Sequence, residues 1–210
     1  MNVRPAIAVL ASSLLLSACG GGDGDDDAAT TSSATTPTTT TTTATTPTTT
    51  ATTPQPQGID PLTGASTRPV VVRASNGSTA LLRAVRAARN EGYDRIVFEF
   101  ANALPGYDVR YVQPPVRQDG SGAVVQLKGA HLLRVRMENA LDADLTKPSA
   151  PSTYDGPGRF DPATPEIAEL VRTGGFEAVL TWVAGLRDRV DFRVTTLSGP
   201  PRLVVDVRNH

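Results

Sequence analysis

The sequence predicts an all-β fold, a two-layer antiparallel β-sandwich, behind a disordered Thr/Pro-rich tether. Three observations predict it. Apolar and polar residues alternate with period two through several short runs beyond residue 60, which is the side-chain spacing of a half-buried strand. Turn signals break those runs at Gly106, Asp119-Gly120-Ser121-Gly122, Gly174-Gly175 and Gly199-Pro200-Pro201, and many short strands with frequent turns are the pattern of a sandwich. Composition also changes near residue 60, where Thr and Pro give way to Val, Leu, Ile and Phe.

The chain opens with Arg4 and an apolar run over residues 6–16, the layout of an export signal covering residues 1–18. That run is too short for a membrane-spanning helix, which needs about 20 apolar residues. Leu16-Ser17-Ala18-Cys19 follows. These residues resemble the lipobox of bacterial lipoproteins, in which the signal is cut before the cysteine and the sulfur is diacylated. The resemblance implies lipidation at Cys19, a membrane partner through that residue, and a protein exported and lipid-anchored to the outer face of the cell membrane. Cys19 is the one cysteine of the 210 residues, so the exported domain is expected to lack a disulfide and to depend on core burial.

Residues 19–60 carry an acidic cluster at Asp23, Asp25, Asp26 and Asp27, then repeats of Thr, Ala and Pro, with almost no large apolar side chain before Ile59. Nothing there offsets an ordering entropy of roughly 1–2 kcal/mol per residue. A coil of about 40 residues reaches roughly 35–40 Å on average, enough to lift a domain off a membrane. The Thr-Thr-Pro pattern resembles glycosylated stalks, and a bare solvated linker fits it equally well.

Residues 61–210 have the length of a single domain with a real core. They hold 19 Arg and Lys against 16 Asp and Glu, an excess too small and too evenly spread for nucleic acid, though compatible with an anionic wall polymer. Ile96, Phe98 and Phe100 alternate with Arg95, Val97 and Glu99 over residues 93–101. Leu133, Val135 and Met137 alternate with Arg134, Arg136 and Glu138, and the same rhythm marks Phe192 to Thr195 and Arg202 to Val207. Residues 70–73, 109–112 and 124–127 read as shorter strands. Residues 178–183 are apolar on both faces and read as a central strand. Residues 142–165, rich in Pro, Gly and Asp, read as a long loop.

The final residues, Pro200-Pro201-Arg202-Leu203-Val204-Val205-Asp206-Val207, resemble the closing signature of AMIN domains, non-catalytic modules found at the front of cell-wall amidases and in secretin assemblies. Tyr93-Asp94-Arg95-Ile96-Val97-Phe98-Glu99-Phe100 resembles the strand of that family in which an arginine follows the first β-turn. Leu104-Pro105-Gly106-Tyr107 and the stretch from Gly175 to Trp182 resemble the actinobacterial AMIN-like lipoproteins. Lysine occurs only at 128 and 147, an arginine bias that suggests a GC-rich source. The resemblance covers residues 70–207. It implies an all-β sandwich that localises proteins to peptidoglycan or envelope partners. It also implies that residues 80–89 pair as a strand with residues 93–101. Propensity and the spacing of Arg83, Arg86 and Arg89 alone favour a short amphipathic helix over residues 79–90. Strand pairing overrides propensity often enough that the strand is preferred. The sequence ends within three residues of Val207, with no amidase domain behind the signature, so hydrolase activity is not expected to carry over.

The chemistry-bearing residues are few. His131 and His210 are the two histidines, and neither has a His or Cys partner for a metal, so no metal or cofactor is expected. No Ser-His-Asp or Cys-His order offers usable partners. Glu99 and Asp206, facing each other across strands, are the nearest approach to a paired-carboxylate site. Four side chains are ligand-binding candidates: Arg95, Arg202, Tyr107 and Tyr111. The arginines present planar forks suited to the carboxylates of wall peptides, and each has a structural reading as a cross-strand partner of Asp94, Glu99 or Asp206. The tyrosines, with Tyr154, sit near loops where rings receive glycans, and each could equally be a structural side chain. Trp182 reads as core. The chain is therefore read as a non-enzymatic, lipid-anchored module that binds peptidoglycan or an associated wall polymer. The alternatives are a protein–protein adaptor that recruits wall proteins through a sheet edge or the long loop, and a small cell-wall hydrolase.

Overall fold

The structure is a computed structural model that describes residues 62–75 and 77–210. The expected signal segment, Cys19 and the tether lie outside the described residues. The described residues form no helix and thirteen strands. These are β1 (Val70–Val72), β2 (Ala80–Asn90), β3 (Tyr93–Phe100), β4 (Gly106–Val112), β5 (Val116–Arg117), β6 (Val124–Val125) and β7 (His131–Glu138). They continue with β8 (Ala140–Leu141), β9 (Arg159–Phe160), β10 (Ile167–Phe176), β11 (Val179–Leu186), β12 (Phe192–Leu197) and β13 (Arg202–Arg208).

Two sheets carry the fold. One has six strands in the order β1-β4-β7-β11-β10-β9, and the other has five in the order β12-β13-β3-β2-β8. A short ribbon, β5-β6, stands apart from both. Pairing is antiparallel except between β2 and β8, which run parallel through Ala80↔Ala140 and Leu81↔Leu141. The expected antiparallel sandwich is therefore correct apart from this one short contact.

The apolar half of each alternation meets its counterpart between the sheets. Ile96, Phe98, Phe100, Leu203, Val205 and Val207 are fully buried on one side, and Val109, Leu133, Val135, Met137 and Trp182 on the other. Phe98 meets Trp182 edge-to-face at 6.1 Å between centroids, a favoured geometry for aromatic pairs. Tyr154 packs on the same indole at 5.9 Å. Trp182 is thus core, as expected.

Residues 80–90 form a strand, against their helical propensity. Val85 lies opposite Phe98 and Ala87 opposite Ile96, so the segment adds apolar side chains to the sheet that a helix at this place would leave unpaired. A bulge between Leu82 and Ala84 adjusts the register. Near the turn, the inward-facing Asp94 is fully buried. It accepts hydrogen bonds from the backbone N–H groups of Glu166 (2.7 Å) and Ile167 (3.1 Å) and from Asn209 Nδ2 (2.7 Å). A buried carboxylate survives when it is bonded in this way.

β10 departs from the sequence reading, which had a turn at Gly174-Gly175. That pair lies within the strand, opposite Thr181 and Leu180. The chain turns instead at Glu177 and Ala178, both at positive φ (51° and 56°), the requirement of a tight two-residue hairpin. Ala178 consequently belongs to the turn and not to β11.

Candidate functional site

The outer face of the five-stranded sheet carries Arg95 and Arg202, and the register decides what they do. Asp206 lies opposite Arg95 on one side and Arg193 on the other. Arg95 forks onto it, Nε to Oδ1 at 2.6 Å and a terminal nitrogen to Oδ2 at 3.0 Å. Arg193 reaches Oδ2 at 3.0 Å. Asp206 is fully buried under both guanidinium groups, and its hydrogen bonds push the Arg95 pKa upward. Arg95 also stacks over the Tyr93 ring at 5.1 Å. Arg202 lies opposite Glu99, and its Nε donates to the Pro200 carbonyl at 3.3 Å. Glu99 in turn accepts from Arg86 at 2.5 Å. The expected facing of Glu99 and Asp206 does not occur, because the register sets an arginine opposite each of them.

Both tyrosine candidates turn inward from β4. Tyr107 is 9% exposed and belongs to the core cluster, where burial raises its pKa. The Tyr111 hydroxyl donates to the Val190 carbonyl (2.7 Å) and accepts from the Val190 N–H (3.1 Å). Burial pushes its pKa up to about 12, against a lowering by the Val190 bond. Its ring packs on Phe192 and receives Arg189 at 4.4 Å. These contacts are structural ones.

The outer face of the six-stranded sheet is different. The segment from residue 113 to 130, with the β5-β6 ribbon, crosses it and covers β11 on its second side. Two glycines allow the approach. A Cβ on Gly185 would lie 1.7 Å from the Lys128 carbonyl oxygen, and one on Gly174 would lie 1.7 Å from Asp119 Oδ2. Asp119 N–H donates to the Thr173 carbonyl at 2.8 Å, and Lys128 N–H donates to the buried Glu169 at 3.1 Å. The cover is thus fastened at both ends of the ribbon.

Between cover and sheet lies a cavity of about 290 Å³. Arg117, Arg134 and Arg136 line it with Asp119, Gln113, Thr173 and Thr181, and Val112, Pro115, Val116 and Val183 supply its apolar wall. Arg136 pairs with Glu138, and Arg117 donates to the Gly122 carbonyl at 2.9 Å. Arg134 reaches Asp108 only at 3.4 Å, with Arg110 directly opposite it and bound to the same carboxylate. Its Nε is buried and has no hydrogen-bond partner. An unmet buried donor costs about 1–3 kcal/mol. Asp119 is the one carboxylate of the lining, while Glu138 and Asp108 partner Arg136 and Arg134 from outside it, so an anion in the cavity would meet a guanidinium-rich wall.

Sequence reasoning did not single out this arginine set. The available signal was the polar half of the 131–138 alternation, which aims Arg134 and Arg136 outward from a strand that lies inside its sheet. A family comparison now bears on this geometry. The family model of the AMIN-like domain matches residues 80–209. The chain belongs to the AMIN-like domain family, which points to a cell-wall-related binding module. Comparison with curated proteins and with solved structures finds no match.

Proposed function

We propose that this protein is a non-enzymatic, lipid-anchored module that holds an acidic polymer of the cell envelope, peptidoglycan foremost, in the arginine-lined cavity beneath the β5-β6 ribbon. The observation that carries the reading is the convergence of Arg117, Arg134 and Arg136 on one cavity, where the register sets Arg110 and not a carboxylate opposite Arg134. Arginine forks recognise carboxylates and phosphates through paired charge-assisted hydrogen bonds. Membership of the AMIN-like family supports the envelope as the location, and the Leu16-Ser17-Ala18-Cys19 stretch supports the anchor. This reading moves the binding role away from Arg95 and Tyr111, whose polar groups are bonded within the fold, from Tyr107, which is buried in the core, and from Arg202, which lies on the other sheet.

Co-sedimentation of the full-length chain, purified in detergent, with isolated sacculi tests the reading. Pelleting with sacculi, without release of soluble wall fragments, is expected. Failure to pellet contradicts it, and released fragments favour a hydrolase. Cys19→Ala is expected to shift the protein from the detergent to the aqueous phase of a Triton X-114 partition, and unchanged partitioning contradicts the anchor. The adaptor reading draws on one observation, the edge strand β1 with Val71 and Val72 exposed. Retention by envelope proteins but not by sacculi would favour it.

A further inference from the structure

A second cavity adjoins the arginine-lined one. Gln118, Asp119, Gly120, Gly158, Arg172, Gly175 and Phe176 surround about 430 Å³ of space. Asp119 lines both cavities and sits over Gly174, between Thr173 of the first and Gly175 of the second. The two spaces lie on either side of Asp119 along β10.

Phe176 is 65% exposed, and it is the one aromatic among the large hydrophobic side chains described as exposed. Its position is held by the fold. It is the last residue of β10, paired with Val179 across the two-residue turn at Glu177 and Ala178. Both turn residues adopt positive φ without being glycine, a conformation that persists only where the surroundings impose it. The ring is thus presented on a rigid hairpin beside glycines and polar groups, and no wide apolar patch surrounds it. A surface of that kind suits a single sugar ring, whose electropositive C–H face meets the negative face of the aromatic while its hydroxyls stay wet.

The register gives the spacing. Val179, opposite Phe176, is paired on its other side with Glu138, and Thr181, two residues on, with Arg136. Phe176 and Arg136 therefore stand two strands apart, about 10 Å, and two residues apart along the strands, about 7 Å. One ligand that spans this diagonal needs a ring at one end and an anion at the other.

We infer that the outer face of the six-stranded sheet carries a two-part site for an acidic glycan, with a sugar ring stacked on Phe176 and a carboxylate held by Arg134 and Arg136. The inference rests on the proposed envelope-binding role and adds the ligand class, a saccharide carrying its own carboxylate substituent, as distinct from a polyanion that lacks rings. A wall disaccharide-peptide is such a ligand, and its free stem peptide and a polyglycerol phosphate are the corresponding anions without a ring.

Calorimetric titration of the full-length chain with these three probes tests it, for wild type, Phe176→Ala, Phe176→Trp and Arg134→Gln. The disaccharide-peptide is expected to bind most tightly. Phe176→Ala is expected to weaken it about tenfold, as loss of apolar contact would, while leaving the two ring-free probes and the melting temperature unchanged. Phe176→Trp restores the binding. Arg134→Gln weakens all three probes. Equal affinity of wild type and Phe176→Ala for the disaccharide-peptide overturns the two-part site, and if sacculi still pellet the protein the envelope-binding role stands without it. Polyglycerol phosphate binding more tightly than the disaccharide-peptide also overturns it. No binding of any probe, with no pelleting by sacculi, defeats both.

Discussion

The outer faces of the two sheets are both rich in arginine, yet they use it in opposite ways. On the five-stranded sheet Asp206 lies in register between Arg95 and Arg193, and Glu99, opposite Arg202, is bonded diagonally by Arg86. Arg95 and Arg193 are both committed there to one buried carboxylate. On the six-stranded sheet the arginines outnumber the carboxylates of the cavity they line. Arg110 and Arg134 lie opposite each other over a shared Asp108, and the ribbon closes over the rest. The difference teaches that an arginine in a family-like motif is a weak guide to binding. What matters is what the register sets opposite it: Asp206 for Arg95, but Arg110 for Arg134.

The largest expected effect lies in the core that both faces share. Phe98→Ala removes a fully buried ring packed on Trp182 and is expected to cost about 3–5 kcal/mol in urea denaturation. A loss below about 1 kcal/mol would mean that the sheets do not pack as described.

Next is Arg95→Ala. It takes a charge-assisted fork away from buried Asp206, whose remaining bond comes from Arg193. Bonds to charged groups are worth about 1.5–3 kcal/mol, and a visible drop in melting temperature is expected with sacculus binding per folded molecule unaltered. Reduced binding at unchanged stability would erase the contrast between the two faces.

Glu166 sharpens the comparison at the low end, as a buried carboxylate without Asp206's two guanidinium partners. It is 3% exposed and accepts from the Asp188 N–H at 2.8 Å. Burial raises its pKa above the ordinary 4.5, more than the Asp188 bond lowers it. The folded state therefore holds this proton more tightly than the unfolded state does. The contribution to stability is fully present below about 4.5 and is lost as pH rises through the higher folded value. Glu166→Gln keeps an acceptor for Asp188 and cannot ionise. Thermal melts across pH are expected to show the variant gaining on wild type as pH rises above the carboxylate range, with the gap closing at low pH. Parallel curves would contradict the burial effect.

Much of the fold was legible because period two is a direct imprint of the pleat. Residues 93–100 and 131–138 each write one buried and one outward face, and residues 202–207 keep the same rhythm with Val204 and Asp206 buried as well. β10 was not legible, since both of its faces are covered and its charges are neutralised by partners remote in sequence. Glu169, 2% exposed, is bonded to Arg159 at 2.5 Å and to Lys128 N–H, so a charge that reads as surface lies inside. The strand at residues 80–90 could be chosen only by resemblance, because its pairing with β3 outweighs its own propensity. The candidate site was hidden for a related reason. Its arginines, Asp119 and Phe176 come from three stretches of chain that only the folded ribbon and hairpin bring together.

The most direct test of the contrast sets Arg95→Ala beside Arg134→Gln in the full-length chain, with each variant both melted and co-sedimented with sacculi. The account predicts a crossed result. Arg95→Ala lowers the melting temperature and keeps sacculus binding, whereas Arg134→Gln does not lower the melting temperature and weakens binding by tenfold or more. Loss of binding in Arg95→Ala at full stability, with Arg134→Gln indistinguishable from wild type, would contradict it.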